Sequence, residues 1–188
     1  ADVVVVDGNI PVPVAGWVLG VAAASGVRVV LEPVSVAKAG RIAPLLVPER
    51  PVFAVTPNVD ELGALVGHPV ADSTDDIVAA ADELHQRGVA HVWVSRGAAG
   101  SLLAGGGECL PIAAVPARVT DVTGAGDAMT AGFVHGLLAG EEPAAAARDG
   151  HLAAALTVAS GHTVPPDLGV AFAAALADHP AQSEGARP

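Results

Sequence analysis

The sequence predicts a three-layer α/β fold with a mainly parallel sheet and a hairpin at its edge. Short uninterrupted runs of β-branched residues, Val3 to Val6 among them, are what a strand buried on both faces requires. Those runs alternate with stretches at helical spacing, the order that builds parallel strands through right-handed crossovers. Further on, two strand-like runs flank Gly105-Gly106-Gly107, a hairpin signal, and only helical stretches follow.

Each element has its own reason. After Val3 to Val6, Pro13 opens a helical stretch through Trp17, Val18 and Val21 to Ser25, since its fixed φ suits a first turn, and Gly26 closes it. Val27 to Leu31 is a second buried strand, and Val36 to Leu46 reads as a helix ending near Pro48. Val52 to Val55 is a third strand, followed by a short helix over Asn58 to Val66 that Gly67 stops. Ser73 is placed to cap a helix over Asp75 to Arg87, with Ile77, Ala81 and Leu84 on one face. Val89 to Ser95 is the fourth strand; Ser101 to Ala104 and Glu108 to Ile112 form the hairpin. Helices then cover Asp127 to Ala139, Pro143 to Ser160 and about Leu168 to Ala177. Residues 1–178 read as one domain and 179–188, small and polar, as a disordered tail. There is no internal repeat and no interdomain linker.

Composition bounds the function. With 188 residues, 52% of them apolar, and a mean hydropathy of +0.52, the chain has enough material for one packed core. The net charge of −11, with Lys38 the single lysine, argues against nucleic acid or an anionic membrane as partner, because phosphate arrays demand a basic footprint. A nucleotide needs only a local pocket and stays open. Cys109 is the sole cysteine, which excludes an internal disulfide and a thiolate zinc cluster; in a strand it reads as inert packing. No segment has the length of an uncharged membrane span and no secretory signal is seen, so the chain reads as cytoplasmic.

The most informative stretch is Thr120-Asp121-Val122-Thr123-Gly124-Ala125-Gly126-Asp127, a small-residue loop that opens directly into a helical pattern. Backbone N–H groups at a helix start favour an anion such as phosphate, and the absence of side chains from Gly124 to Gly126 lets a ligand approach the main chain. Asp127 would repel that anion, so its presence needs a reason. Abstraction of a proton from an attacking hydroxyl supplies one. The competing account is a glycine-rich turn with Asp127 as an ordinary first-turn carboxylate.

The run DVTGAGD followed by A-M-T-A-G resembles the C-terminal signature of the PfkB (ribokinase-like) family of sugar and nucleoside kinases. The resemblance implies that Gly124, Ala125 and Gly126 form the anion hole for the transferring phosphoryl group and that Asp127 is the base. Asn58-Val59-Asp60-Glu61 resembles the family's N-x-x-E motif, implying that Asn58 lies by the nucleotide phosphates and that Glu61 acts through water on Mg²⁺, an ion that prefers oxygen and keeps its hydration. Asn58 with Glu61 three residues on is also a capping box, and one residue can do both. Ser95-Arg96-Gly97-Ala98-Ala99-Gly100 resembles the T/S-x-G-x-x-G element against the ATP phosphates and ribose, matching at Ser95, Gly97 and Gly100; a plain glycine turn is the alternative. Asp121 and Thr123 match positions that help hold K⁺ through backbone carbonyls, closed by the stretch from Val158 to Thr163. His151 falls where many relatives place an Asn near the adenine, and a solvent-facing helical histidine is the competing reading.

Asp7-Gly8-Asn9-Ile10-Pro11 and Glu32-Pro33-Val34-Ser35-Val36-Ala37-Lys38 look like segments of pseudouridine kinases, implying that Asn9 and Lys38 serve the substrate. The resemblance covers Val3 to about Ala177 but corresponds to the C-terminal part of a family member. The N-terminal strands, a paired-glycine sugar motif and a β-sheet lid are therefore expected to be missing, whether by excerpt, truncation or natural shortening. The implied activity is ATP-dependent transfer to a sugar or nucleoside hydroxyl, of pseudouridine 5′-kinase type, with a ribose- or fructose-type sugar as the other acceptor. The rival is a catalytically idle nucleotide-binding remnant or partner subunit. A sheet edge left exposed by missing strands is expected to favour a homodimer or other edge association. A Rossmann dehydrogenase is disfavoured, since the first strand leads into Asp7-Gly8-Asn9-Ile10-Pro11 and not a G-x-G-x-x-G turn.

Overall fold

The structure, a computed structural model, describes residues 1–178; the tail read as disordered lies outside the described residues. The chain divides into two compact units, Ala1–Ala114 and a second beginning at Val115, and each is described by itself.

The first unit is built on a six-stranded sheet in the order β1-β2-β3-β4-β5-β6. Its strands are β1 (Val3–Asp7), β2 (Arg28–Glu32), β3 (Val52–Val55), β4 (Val89–Ser95), β5 (Ser101–Gly105) and β6 (Glu108–Ile112). β1 to β4 pair in parallel, whereas β4-β5 and β5-β6 are antiparallel, the expected edge hairpin. The helices are α1 (Val12–Ser25), α2 (Val36–Ile42), α3 (Val59–Val66) and α4 (Thr74–Gln86). Strands in consecutive order joined by right-handed crossovers place all four helices on one face of the sheet. The core follows that geometry. Leu19, Ile42, Leu62, Leu65, Ile77 and Leu84 from the helices pack with Val29 and Leu31 of β2 and Val92 and Val94 of β4, each pair spaced two apart as the pleat requires, and with Val52 and Val55 from the two ends of β3.

Local signals act as expected in most places. Gly26 closes α1 with φ 65°, its neighbour Val27 donating back to the Ala22 carbonyl at 3.0 Å, and Gly67 closes α3 at φ 94°. Ser73 caps α4 by accepting from the Asp76 N–H. One expectation is corrected: the helix read as Val36 to Leu46 ends at Ile42 and continues as a 3₁₀ turn over Ala43–Leu45. Pro44 has no N–H to donate four residues back, so the α-helix cannot pass it. Cys109 lies half-buried in β6 beside the core, and burial pushes its thiol pKa up, as suits an inert packing residue.

The second unit consists of α5 (Ala125–Leu138), α6 (Pro143–Val158) and α7 (Leu168–Asp178). α5 and α6 approach at backbone distance through glycine: a Cβ on Gly132 would lie 2.6 Å from the Asp149 carbonyl, and one on Gly136 would lie 2.8 Å from Ala146 Cα. Ala128, Ala153 and Phe172 form a small apolar cluster among the three helices. So close a contact leaves α6 little polar face. His151, which a solvent-facing reading would expose, is only 5% exposed, and desolvation lowers its pKa. Asp149 is buried as well. Its Oδ2 has no hydrogen-bond partner among the described residues, and His135 Nδ1 stands 3.8 Å away.

Burial, followed by the charge of Glu141, raises the Asp149 pKa, with His135 opposing. A carboxyl that holds its proton more tightly folded than unfolded costs stability as pH rises from acid through the folded pKa. Asp149→Asn is therefore expected to raise the melting temperature at neutral pH, and this gain should shrink at acid pH, where both side chains are neutral. Thermal melts across that range check it; a gain independent of pH would contradict it.

Candidate active site

Parallel pairing brings the carboxyl ends of β1 to β4 to one sheet edge, where ligands of open α/β sheets bind. Asp7 at the end of β1 accepts from the Asn9 N–H at 2.5 Å and from Asn9 Nδ2 at 2.8 Å, turning the Asn9 amide oxygen outward. Lys38 Nζ donates to that oxygen, so the structure brings the two expected substrate residues together. Arg41 joins them by donating to the Gly8 carbonyl at 3.3 Å. Sequence reasoning passed over Arg41, although its position three residues after Lys38 on one helix face was the available signal.

After β3, the capping box forms in both directions. The Glu61 N–H donates to Asn58 Oδ1 at 2.9 Å, and the Asn58 N–H donates to Glu61 Oε2 at 2.9 Å. Glu61 is buried at 7% exposure, and its Oε1 takes no part in the box. Asn58 pairs with Ser95 across an isolated parallel bridge, and the Ser95 N–H donates to the Pro57 carbonyl at 2.9 Å. Thus the N-x-x-E turn and the element after β4 are held side by side. That element is a tight loop: the Arg96 N–H donates to the Gly100 carbonyl at 2.8 Å, Gly97 has φ 57° and Gly100 has φ 86°. A Cβ on Gly100 would strike the Ile112 carbonyl, so glycine is required there on two grounds. Arg96 points away to Asp72, Nε to Oδ1 at 2.5 Å.

In the second unit the loop before α5 is fixed from two sides. The Thr120 N–H donates to the Val158 carbonyl at 2.7 Å, and Thr120 Oγ1 donates to the Ala159 carbonyl at 3.3 Å. Asp121 Oδ1 accepts from the Thr123 N–H at 2.9 Å and from Thr123 Oγ1 at 2.8 Å, which lowers the Asp121 pKa. Gly124 caps α5 at φ 83°, and a Cβ there would strike the Thr163 carbonyl. The loop holding Asp121 and Thr123 and the stretch from Val158 to Thr163 are thereby brought together. The Ala125 N–H is taken by the Val122 carbonyl at 3.2 Å, and the helical ladder starts with the Ala128 N–H on Gly124 at 2.9 Å. The N–H groups of Gly126 and Asp127 have no acceptor within the helix. A Cβ on Gly126 would meet nothing within 4 Å, so the protein itself does not need glycine there, whereas a ligand at the main chain would. Asp127 is exposed in the first turn. His151 sits in the packing of α6, without the open face of the loop residues.

A mainly parallel sheet with an edge hairpin, followed by a glycine-capped helix, defines a ribokinase-like α/β fold. Comparison with known proteins places the chain further: residues 1–168 match the model of the pfkB family carbohydrate kinases, and the chain belongs to that family. It is 40% identical over 116 residues to the 1-phosphofructokinase of Haloferax volcanii, covering 62% of this chain and 38% of that protein. To the pseudouridine kinase of Escherichia coli it is 29% identical over 180 residues, 95% of this chain and 56% of that protein. The structure of Arabidopsis thaliana ribokinase complexed with ribose and ATP superimposes with a TM-score of 0.75 at 26% identity, over 92% of this chain and 56% of that one. The chain spans about half the length of the curated relatives it matches.

The capping box makes Asn58 a structural residue whatever else it does. Asn58→Ala is expected to cost about 1 kcal/mol, and Asn58→Asp much less, because only the former leaves the Glu61 N–H without its acceptor. Denaturant unfolding of both variants checks this; equal losses would contradict it.

Proposed function

We propose that this chain carries the nucleotide-binding and phosphoryl-transfer portion of an ATP-dependent kinase acting on a sugar or nucleoside hydroxyl, of pseudouridine 5′-kinase type. The observation that carries the reading is the first turn of α5. Two N–H groups free of intrahelical acceptors, an unfilled space over Gly126 and an exposed carboxylate at Asp127 stand together at a helix start.

The chemistry follows from those parts. Asp127 takes the proton of the acceptor hydroxyl as its oxygen forms a bond to the γ-phosphorus of ATP, and the bond from that phosphorus to the leaving ADP oxygen breaks. In the Gly124-Ala125-Gly126 anion hole the Ala125 N–H is held by the Val122 carbonyl, so the free N–H groups of Gly126 and Asp127 face the negative charge on the transferring group without reorganising, and the helix dipole adds to them. Asn58, Ser95, Gly97 and Gly100 lie beside the phosphates and ribose, while Asn9 and Lys38 hold the acceptor. His151 belongs near the adenine in this scheme. It is buried in α6. Glu61 fits a hydrated Mg²⁺, since it is buried, acidic and has Oε1 outside the capping box; the ion would neutralise charge on the phosphates. K⁺ would sit against carbonyls of the loop that Asp121 and Thr123 fix.

The extent of the alignment with pseudouridine kinase, together with the paired Asn9 and Lys38, favours a nucleoside acceptor. The higher identity to 1-phosphofructokinase supports a sugar acceptor as the second reading. A small-molecule partner in the cytoplasm accords with the acidic charge and with the finding that no helix among the described residues is long and apolar enough to cross a membrane. Because the chain covers about half of its relatives, a nucleotide-binding portion that needs a further segment or subunit for turnover is a rival. β1 pairs only with β2 among the described residues, and its free edge suits a homodimer or another edge partner.

Asp127→Asn is the test. Turnover with pseudouridine or a sugar acceptor is expected to fall by orders of magnitude while nucleotide affinity changes little, because the variant keeps the N–H groups and loses the base. Retained turnover would sink the assignment.

A further inference from the structure

Val34 is the one residue other than glycine with a positive φ, 71°, among the described residues. It is β-branched, so its Cβ and backbone make this conformation costly. The Ser35 N–H donates to the Pro33 carbonyl two residues back at 2.9 Å. A two-residue hydrogen bond around a positive central φ is the rare, strained form of the γ-turn. Such strain persists only where its surroundings over-determine it.

Glu32 supplies that constraint. Its Oε1 accepts from the Val34 N–H at 3.2 Å, and its Oε2 accepts from Thr56 Oγ1, a buried hydroxyl at the end of β3. One carboxylate thus ties the turn to the neighbouring strand. The turn also closes on β1: the Gly8 N–H donates to the Glu32 carbonyl at 2.8 Å, and a Cβ on Gly8 would lie 2.5 Å from the Pro33 carbonyl and 3.2 Å from Lys38 Cβ. The chain enters α2 directly from this turn, and Lys38 and Arg41 reach the Asn9 amide and the Gly8 carbonyl. Neither cation has a carboxylate within ion-pair distance among the described residues, so their placement does not come from charge pairing.

We infer that Glu32 is a positioning residue: by holding Val34 in the strained turn, it sets Lys38 against Asn9 on the acceptor side of the site. Neither Glu32 nor Val34 touches the acceptor. The inference rests on the proposed role of Asn9 and Lys38, but its test does not need turnover.

Lys38 is the only lysine, so a chain grown with lysine labelled with ¹³C at Cε shows a single side-chain methylene signal. A held ammonium gives two inequivalent Hε protons; a free one gives the averaged value of an unstructured lysine. Wild type is expected to show the inequivalent pair, Glu32→Ala the averaged value, and Glu32→Ala with Val34→Gly a return toward the pair, since glycine adopts the turn without strain. Thr56→Val, which removes one of the two ties, should broaden or partly average the signal and serves if Glu32→Ala does not fold. In turnover, Glu32→Ala should raise acceptor KM about tenfold with nucleotide Kd unchanged, the effect of losing one charge-assisted hydrogen bond. An inequivalent pair that survives both Glu32→Ala and Thr56→Val, or a folded double variant that recovers nothing, overturns the inference. Absence of turnover in wild type would instead favour the rival, a portion that needs a further segment or subunit for turnover, and leave the lysine signal as the test of this inference.

Discussion

Because β1 to β4 pair in parallel, their carboxyl ends fall on one sheet edge, and the strand ends, loops and helix starts there carry Asn9, Lys38, Asn58, Glu61, Ser95 and Gly100. The register in turn depends on the core that the four helices press onto one face of the sheet. Edge loops of this kind would wander if only their own turns held them. Here they are cross-linked: Asp7 fixes Asn9, Glu32 reaches Thr56, and Asn58 bridges to Ser95. A buried scaffold and polar ties at its rim are what allow a site to be formed before its ligand arrives.

The second unit solves a different problem by similar means. Free N–H groups at a helix start attract anions only if the loop before them is kept out of the way. Thr120 and Asp121 anchored to Val158, together with Gly124 pressed on Thr163, hold that loop. The close glycine contact between α5 and α6 sets the helix itself. The structure also carries two local costs. Asp149 is buried without a hydrogen bond at Oδ2, and Val34 holds a backbone conformation worth on the order of 1–3 kcal/mol of strain. Only the second has a clear structural beneficiary, the placement of Lys38.

Much of this was legible in the residues. The run Val3 to Val6 reads as a strand and forms one, but not the fully buried strand expected: β1 ends the sheet and pairs only with β2 among the described residues, so Val3 and Val4 are half-buried and Val5 is exposed. N-x-x-E announces a capping box that forms as expected. The glycine loop before Asp127 was legible through resemblance, and the open space at Gly126 now gives it a physical reason. Other features left no signal. Nothing in Glu32-Pro33-Val34-Ser35 says that the valine takes a conformation glycine would prefer, because the cause is a hydroxyl on another strand. His151 looked like a surface residue because α6 is rich in alanine all round, a pattern that carries no facing information. Pro44 does carry its signal in the sequence, and the α-helix stops before it, short of the expected Leu46.

The central claim is that phosphate meets the main chain at the start of α5. Gly126 separates that claim from a structural role, since its added Cβ meets no protein atom. Calorimetric titration of wild type and Gly126→Val with a non-hydrolysable ATP analogue and Mg²⁺ tests it most directly. The account predicts Mg²⁺-dependent binding to wild type and loss of binding in a variant that melts at the same temperature or higher. Equal binding by both proteins would contradict it.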